Sequence, residues 1–262
     1  MRIIDGHRHL FVTPELETDD ILRQMDAFGV ERTLLLPIDG IGRFLGRQLG
    51  GQEDVTSAVR DHPDRFTGAI YVDPRRADHV ARIDRLAAEG FRVVKMWSPV
   101  GYWPDDDAFD PVYEKIVSLG LPIVAHTGIT DIPLPGKRQA AHSKYSQIVL
   151  FDGLVRKFPE ITWVFAHAGD PDFTRAIMLA HAGSNVFLNP IGGVASWDAR
   201  LILEWEATGR VWPLPFEKLV WGSDSLPLEG AFNYWRDLFE RNGMGAHLES
   251  FLGGNAAKIF KL

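Results

Sequence analysis

The sequence IIDGHRH occupies residues 3–9 and carries the strongest structural signal in this 262-residue chain. Its apolar start predicts a β-strand that runs directly into His7 and His9. Because side chains alternate between the two faces of a strand, these two histidines point the same way. Two imidazoles at one strand end can bind a single divalent cation, since each offers a neutral ring nitrogen. On this spacing alone, the alternative is a polar first turn with two exposed histidines.

Further short apolar runs follow this strand, and segments of helical period separate them. Most runs are nearly continuous in apolar residues, as expected for parallel strands that helices cover. The eight predicted strands are Arg2–Asp5, Thr33–Pro37, Thr67–Val72, Phe91–Trp97, Pro122–His126, Thr162–His167, Asn185–Asn189 and Lys218–Gly222. The predicted helices are Glu15–Gly29, Gln52–His62, Ala77–Gly90, Asp110–Gly120, Ser146–Phe158, Pro171–Gly183, Ser196–Thr208 and Glu229–Arg241. Eight strands, each followed by a helix in about 250 residues, predict an α/β fold, a single (β/α)8 TIM barrel.

A doubly wound open sheet is the competing topology for this alternation. It has less support because no G-x-G-x-x-G motif follows the first strand. No low-complexity linker interrupts residues 1–262, so we expect one barrel domain with a closing helix over Gly254–Phe260. The irregular stretches Asp39–Gly51 and Gly128–Tyr145 predict long loops, which often build active sites in barrels.

Composition and charge limit the possible functions. Hydrophobic residues make up 45% and charged residues 24%, which is ordinary for a soluble globular protein. The formal charge of −7 argues against a nucleic-acid-binding function, and the absence of cysteine leaves nitrogen and oxygen to hold any metal. No stretch approaches the roughly 20 apolar residues of a membrane helix, and no signal-peptide pattern is visible. We expect a cytoplasmic protein that acts on a small molecule, without a membrane partner, and leave a homo-oligomer open.

Polar residues end several of the predicted apolar strands. Beyond the histidine pair of the first strand, they are Lys95, His126, His167 and Asp224. In a TIM barrel, the C-terminal ends of all strands meet at one face, which carries the chemistry. Taken singly, His126 or His167 is explained by a hydrogen bond at a strand end, and Asp224 is explained as a helix N-cap. Together they predict an active site at the C-terminal ends of the strands.

Five motifs in this order span nearly the whole chain: DGHRH at 5–9, HTG at 126–128, AHAG at 166–169, GSD at 222–224 and GNAAKIF at 254–260. With these motifs the chain resembles the amidohydrolase superfamily, in the amidohydrolase-2 branch of metal-dependent TIM-barrel hydrolases. The resemblance implies that His7, His9, His126 and Asp224 hold one divalent metal, with zinc favoured and manganese as the alternative. Three imidazoles and a carboxylate agree with such a site, because they leave room for a water.

The resemblance also implies roles in catalysis. Asp224 takes a proton from the metal-activated water and passes it to the leaving group. His167 polarises the substrate carbonyl or stabilises the developing oxyanion. Asp224 and His167 are therefore the two predicted catalytic residues.

Lys95 leaves a two-metal arrangement open. In two-metal members of the superfamily, a lysine at the end of the fourth strand is carboxylated and bridges the metals, and His126 and His167 then bind the second ion. We favour one ion over two, with Lys95 binding an anionic substrate or a nearby carboxylate. The candidate substrate-binding residues are Lys95, Trp97, Arg138 and His142.

The leading hypothesis is hydrolysis, in which a metal-activated water attacks an ester, lactone or amide carbonyl of a small, carboxylate-bearing molecule. The main alternative is a non-oxidative decarboxylase of an aromatic or unsaturated acid, since the branch contains such lyases on a similar metal site. The compact chain favours the hydrolase, because little inserted sequence is present to build an aromatic-acid pocket. A catalytically silent metal-binding barrel is disfavoured because His167 and Asp224 are both present.

Overall fold

A computed structural model describes residues 1–12, 17–40, 43–44, 46–130, 132, 142–191 and 214–262. Strands and helices alternate through these ranges. The strands are β1 (Ile3–Arg8), β2 (Val30–Leu35), β3 (Arg43–Phe44), β4 (Arg47–Gln48), β5 (Phe66–Val72), β6 (Val93–Met96), β7 (Ile123–His126), β8 (Trp163–Ala166) and β9 (Val186–Asn189). The α-helices are α1 (Thr18–Phe28), α2 (Gln52–Asp61), α3 (His79–Ala88), α4 (Asp110–Leu119), α5 (Phe151–Lys157), α6 (Phe173–Ala182), α7 (Leu228–Arg241) and α8 (Asn255–Phe260).

Seven strands form one sheet in the order β1-β2-β5-β6-β7-β8-β9. Every neighbouring pair in this sheet is parallel. The order of the strands in the sheet is their order in the chain, which is the arrangement of a TIM barrel. The sheet is a curled α/β sheet, consistent with the predicted barrel.

The eighth predicted strand, Lys218–Gly222, differs from the prediction because it forms isolated hydrogen bonds instead of a continuous ladder. The N–H of Val220 donates to the carbonyl of Leu188 in β9 at 2.8 Å. On the other side, the N–H of Gly6 in β1 donates to the carbonyl of Trp221 at 3.0 Å. This segment therefore contacts both edge strands of the sheet, and it breaks regular pairing because its next residues bend into the candidate site.

Alternate residues of the strands belong to two apolar clusters, so the sheet is buried on both faces. The inner cluster contains Ile4, Leu34, Val93, Val124, Val164 and Val220, and residues of α8 pack against it. The outer cluster joins the opposite strand faces to the helices, for example Val94 and Ile123 to Ile116 of α4. The inner cluster forms an apolar floor beneath the polar strand ends.

The remaining differences from the predicted elements are local. β1 extends through His7, and the predicted loop Asp39–Gly51 contains the short antiparallel pair β3–β4. The predicted helix Ser146–Phe158 begins with 3-10 turns and becomes α-helical at Phe151. The predicted helix Ser196–Thr208 and most of the loop Gly128–Tyr145 lie outside the described residues. Within the described ranges, no helix combines the length and apolar character that crossing a membrane requires.

Candidate active site

Three side chains of metal-ligand type meet at the end of β1. The Nε2 atoms of His7 and His9 lie 3.1 Å apart, and each lies 3.6 Å from Oδ1 of Asp224. Ligand atoms of a tetrahedral ion at about 2.0–2.2 Å stand about 3.3–3.6 Å from one another. Two of the three distances fall in this range and the His7–His9 distance is slightly shorter, so the three atoms are spaced closely enough to bind a single cation.

Hydrogen bonds on the far side of each ring fix which nitrogen faces this cluster. The amide Nδ2 of Asn189 donates to the carbonyl of Val220 at 2.7 Å, so Oδ1 of Asn189 accepts from Nδ1 of His7 at 2.7 Å. Nδ1 of His9 donates to the carbonyl of Leu36, also at 2.7 Å. Each ring carries its proton on Nδ1 and presents the lone pair of Nε2, as metal-binding histidines do.

Burial keeps these histidines in the form that binds a metal. Burial, followed by the positive charge of Lys95, lowers the pKa of His9 to about 4 and that of His7 well below its usual value. Both rings are therefore neutral near pH 7. A neutral imidazole can coordinate a cation without first losing a proton.

The close approach of residues 222–224 to β1 positions Asp224. The N–H groups of Ser223 and Asp224 both donate to the carbonyl of His7, at 3.0 and 2.7 Å, and the N–H of His9 donates to the carbonyl of Asp224 at 2.9 Å. A Cβ atom at Gly222 would stand 2.6 Å from Cβ of His7, so this approach requires glycine. Asp224 has a φ of 56°, a left-handed conformation that is costly without glycine and that clusters at functional sites.

Asp5 is buried and stabilises the turn at residues 222–224 through hydrogen bonds. Its carboxylate accepts from the N–H of Ser223 at 2.9 Å, from the hydroxyl of Ser223 at 2.5 Å and from the N–H of His7 at 3.2 Å. Burial raises the pKa of Asp5 to about 6, although these hydrogen bonds and Arg8 act in the opposite direction. Arg8 donates to the hydroxyl of Ser223 at 3.2 Å and to the carbonyl of Leu226, so it supports the turn.

The imidazole ring of His167 lies next to that of His7, and the ring of His126 lies next to that of His167. The ring of His167 lies 5.6 Å from that of His7 and 4.6 Å from that of His126, measured between centroids. Nδ1 of His167 donates to the carbonyl of Ile191 at 2.6 Å, which leaves Nε2 as the free ring nitrogen. Nε2 of His126 is buried and has no hydrogen-bond partner in the part of the chain that the structure describes. His126 stands outside the three-residue cluster, whose ligand atoms all lie within 4.8 Å of one another.

Thr127 holds the turn that carries His167. Its hydroxyl donates to the carbonyl of Ala166 at 2.7 Å and accepts from the N–H of Gly169 at 2.9 Å. His167 itself has a φ of 63°, so the turn between these two hydrogen bonds is left-handed. The hydroxyl thus stabilises a backbone conformation that a non-glycine residue seldom adopts.

Lys95 and Trp97 lie two residues apart at the end of β6, and both are fully buried. Nζ of Lys95 and Nε1 of Trp97 have no hydrogen-bond partner among the described residues. Burial lowers the pKa of Lys95 to about 8, while the negative charge of Asp224 acts in the opposite direction. The Trp97 ring lies 6.0 Å from that of His126.

The contacts of the described residues do not bring the other two predicted substrate-binding residues, His142 and Arg138, to this cluster. His142 is exposed, its N–H donates to the carbonyl of Pro99 at 3.0 Å, and its ring lies 6.4 Å from that of Tyr145. Arg138 lies outside the described residues. Sequence reasoning also missed Asn189, although it ends a predicted apolar strand just as His126 does.

A sequence model of the family Amidohydro_2, described as Amidohydrolase, matches residues 4–262. This chain belongs to the amidohydrolase family. The resemblance read from the five motifs is thereby confirmed over nearly the whole chain. No curated protein matches this chain.

Solved structures similar to this chain share its fold at low sequence identity. A probable 2-pyrone-4,6-dicarboxylic acid hydrolase from Acinetobacter baumannii, with citric acid bound, is 16% identical with a TM-score of 0.72, and each chain is covered completely. An amidohydrolase from Burkholderia multivorans with bound zinc is 13% identical with a TM-score of 0.66, again with complete coverage of both chains. A 5-carboxyvanillate decarboxylase from Novosphingobium aromaticivorans, with bound manganese, is 18% identical with a TM-score of 0.61, over 93% of this chain and 80% of the other.

Proposed function

We propose that this amidohydrolase is a metal-dependent hydrolase of an ester, lactone or amide bond in a small, carboxylate-bearing molecule. The observation that carries the proposal is the 3.1–3.6 Å spacing of the ligand atoms of His7, His9 and Asp224. Two further observations support it: both Nε2 atoms present lone pairs, and both rings are held neutral by burial. Zinc is favoured because two or more imidazoles with one carboxylate suit it, and manganese is the alternative.

His126 is the proposed fourth ligand. Its Nε2 is a buried polar atom without a described partner, and leaving such an atom unsatisfied costs about 1–3 kcal/mol. Burial and the neighbouring His167 hold the pKa of His126 well below its usual value, so the ring is neutral. A cation shared with the three clustered residues would satisfy this nitrogen.

A divalent cation bound here supplies Lewis-acid activation of water and of a carbonyl group. The chain supplies the proton transfer: the Asp224 side chain is 17% exposed, so its carboxylate can accept a proton from an attacking water and return it to the leaving group. His167 faces the same space, and its free Nε2 can donate to a developing oxyanion only as an imidazolium. Asp224 favours that charged form, whereas burial, the larger effect, and Lys95 lower the pKa of His167.

A non-oxidative decarboxylase is the second candidate. It is supported by the likeness of the fold to a manganese-bound decarboxylase and by the fact that the same donor set serves both reactions. The products separate the two: a decarboxylase releases CO2, whereas a hydrolase forms a new acid and a new alcohol or amine.

The first test is the metal content of the full chain, purified without chelator. We expect about one equivalent of zinc or manganese per chain, lost in the His7→Ala/His9→Ala variant and retained in His142→Ala, which changes an exposed histidine. Two equivalents would replace the single site by a two-metal site bridged by a carboxylated Lys95. Absence of bound metal, with activity insensitive to chelation, would refute the proposed function.

A further inference from the structure

We propose that the ammonium group of Lys95 and the indole N–H of Trp97 form a subsite that binds a carboxylate of the substrate, beside His7, His9 and Asp224. This inference rests on the proposed function and deepens it, because it locates the anionic group that the substrate keeps during the reaction. A carboxylate held here is distinct from the bond that is cleaved.

The first observation is the absence of hydrogen bonds to two buried donors. Lys95 and Trp97 are 0% exposed, and neither Nζ nor Nε1 has a partner among the described residues. A buried donor without a partner costs about 1–3 kcal/mol, and more when it is charged. In native proteins each such group calls for an explanation, and a catalytic role or a bound ion is one of the common ones.

The second observation is where the two donors point. Val93, Lys95 and Trp97 alternate along β6, and Val93 belongs to the inner apolar cluster together with Val124 of the neighbouring strand. Lys95 and Trp97 therefore point to the inside of the curled sheet, above the apolar floor. Together with burial, which is the larger effect, the positive charge of Lys95 lowers the pKa of all four histidines of the site.

The third observation is the charge of the site. A cation held by His7, His9 and Asp224 would repel the ammonium of Lys95, and in a buried site that repulsion is only weakly screened. An anion bound between the two positive charges removes the conflict. A carboxylate suits these donors because its two oxygens can accept from an ammonium and from an indole N–H at the same time.

Two other tryptophans show what distinguishes Trp97. Nε1 of Trp163 and Nε1 of Trp221 also lack partners among the described residues. Both, however, belong to the outer cluster between the sheet and the helices, where Trp163 packs against Phe151 and Phe165. These two tryptophans serve as internal controls.

The test follows the indole signals of the zinc-loaded full chain in proton–nitrogen correlation spectra during titration with acetate, malonate and isophthalate. The Trp97 signal is assigned by its loss in Trp97→Phe. We expect at least one of the three carboxylates to move the Trp97 signal, with the signals of Trp163 and Trp221 unmoved. Lys95→Met should weaken carboxylate binding by about tenfold or more, since a hydrogen bond to a charged group is lost, whereas Lys144→Met, which changes an exposed lysine, should not.

Three results would overturn the subsite: a Trp97 signal that none of the carboxylates moves, unchanged carboxylate affinity in Lys95→Met, or a carbamate carbon on Lys95 after labelling with isotopic bicarbonate. Thermal melting of each variant checks folding, and the wild-type titration decides the question even if a variant does not fold. The carboxylate subsite can be tested independently of the proposed function, because the titration can be repeated without metal. If zinc does not bind but a carboxylate still moves the Trp97 signal, the subsite stands and the metal mechanism falls.

Discussion

Gly222→Ala tests the geometry of the candidate site most directly. The added Cβ atom would stand 2.6 Å from Cβ and 2.8 Å from the backbone N of His7. A backbone atom cannot rotate away from the contact as a long side chain can. The substitution must therefore push residues 222–224 away from β1.

The size of the displacement follows from these distances. Carbon atoms in contact are at least about 3.5 Å apart, so His7 and residue 222 must separate by about 0.9 Å. Metal–ligand distances tolerate only about 0.2 Å, so the carboxylate of Asp224 moves out of position to share a cation with His7 and His9. We expect zinc affinity to fall by about 10- to 100-fold or more. Overpacking of this kind costs about 1–3 kcal/mol, and each kcal/mol lowers the Tm by about 2–4 °C in a chain of this size.

Zinc affinity is measured by competition with a chromophoric chelator, and stability by thermal denaturation of the metal-free chain. The matched control is Gly153→Ala in α5, where an added Cβ meets nothing within 4 Å. Its zinc affinity should be unchanged, and its stability should rise by up to about 1 kcal/mol, because alanine is the better helix former. If Gly222→Ala keeps the zinc affinity and Tm of the parent, the close packing of residues 222–224 on His7 is wrong.

Three further predictions concern neighbouring groups. Asn189→Leu removes the acceptor that orients His7 and should lower zinc affinity by about 10- to 100-fold in calorimetric titration; an unchanged affinity would contradict the assigned tautomer. The metal-free chain should lose stability as the pH falls below about 6.5, because burial lowers the pKa of His9 to about 4 and the unfolded chain binds more protons. Between pH 7 and pH 5, His9 accounts for a loss of about 2 kcal/mol in the free energy of unfolding, and the raised pKa of Asp5 partly offsets this loss. Urea unfolding of His9→Asn should show a smaller loss of stability over the same pH range. Thr127→Val should cost about 1–3 kcal/mol in urea unfolding, whereas Thr127→Ser, which keeps the hydroxyl, should cost less.

The predicted elements that agree with the structure are those whose signals are local. The nearly continuous apolar runs at residues 93–96, 123–126 and 163–166 are strands, because parallel strands covered on both faces are largely apolar. The alternation of side chains along a strand likewise placed His7 and His9 on the same side. Both signals can be read within a few consecutive residues.

The strand predicted at Lys218–Gly222 shows where local signals fail. Its apolar residues are buried as a strand's would be, and its hydrogen bonds reach both neighbours. Its ladder is interrupted because Ser223 and Asp224 share the carbonyl of His7, a contact between residues more than 200 positions apart. No periodicity within the segment reports that contact.

The sequence by itself determined the class of fold, the family and the set of polar strand ends, because hydrophobic period and short motifs are properties of neighbouring residues. Only the tertiary structure decided that His7, His9 and Asp224 form the compact cluster while His126 stands beside His167. It also decided which nitrogen of each histidine faces the cluster, through Asn189. The physical reason is that a site of this kind depends on distances of a few ångströms between segments far apart in the chain, and close packing of backbones sets those distances.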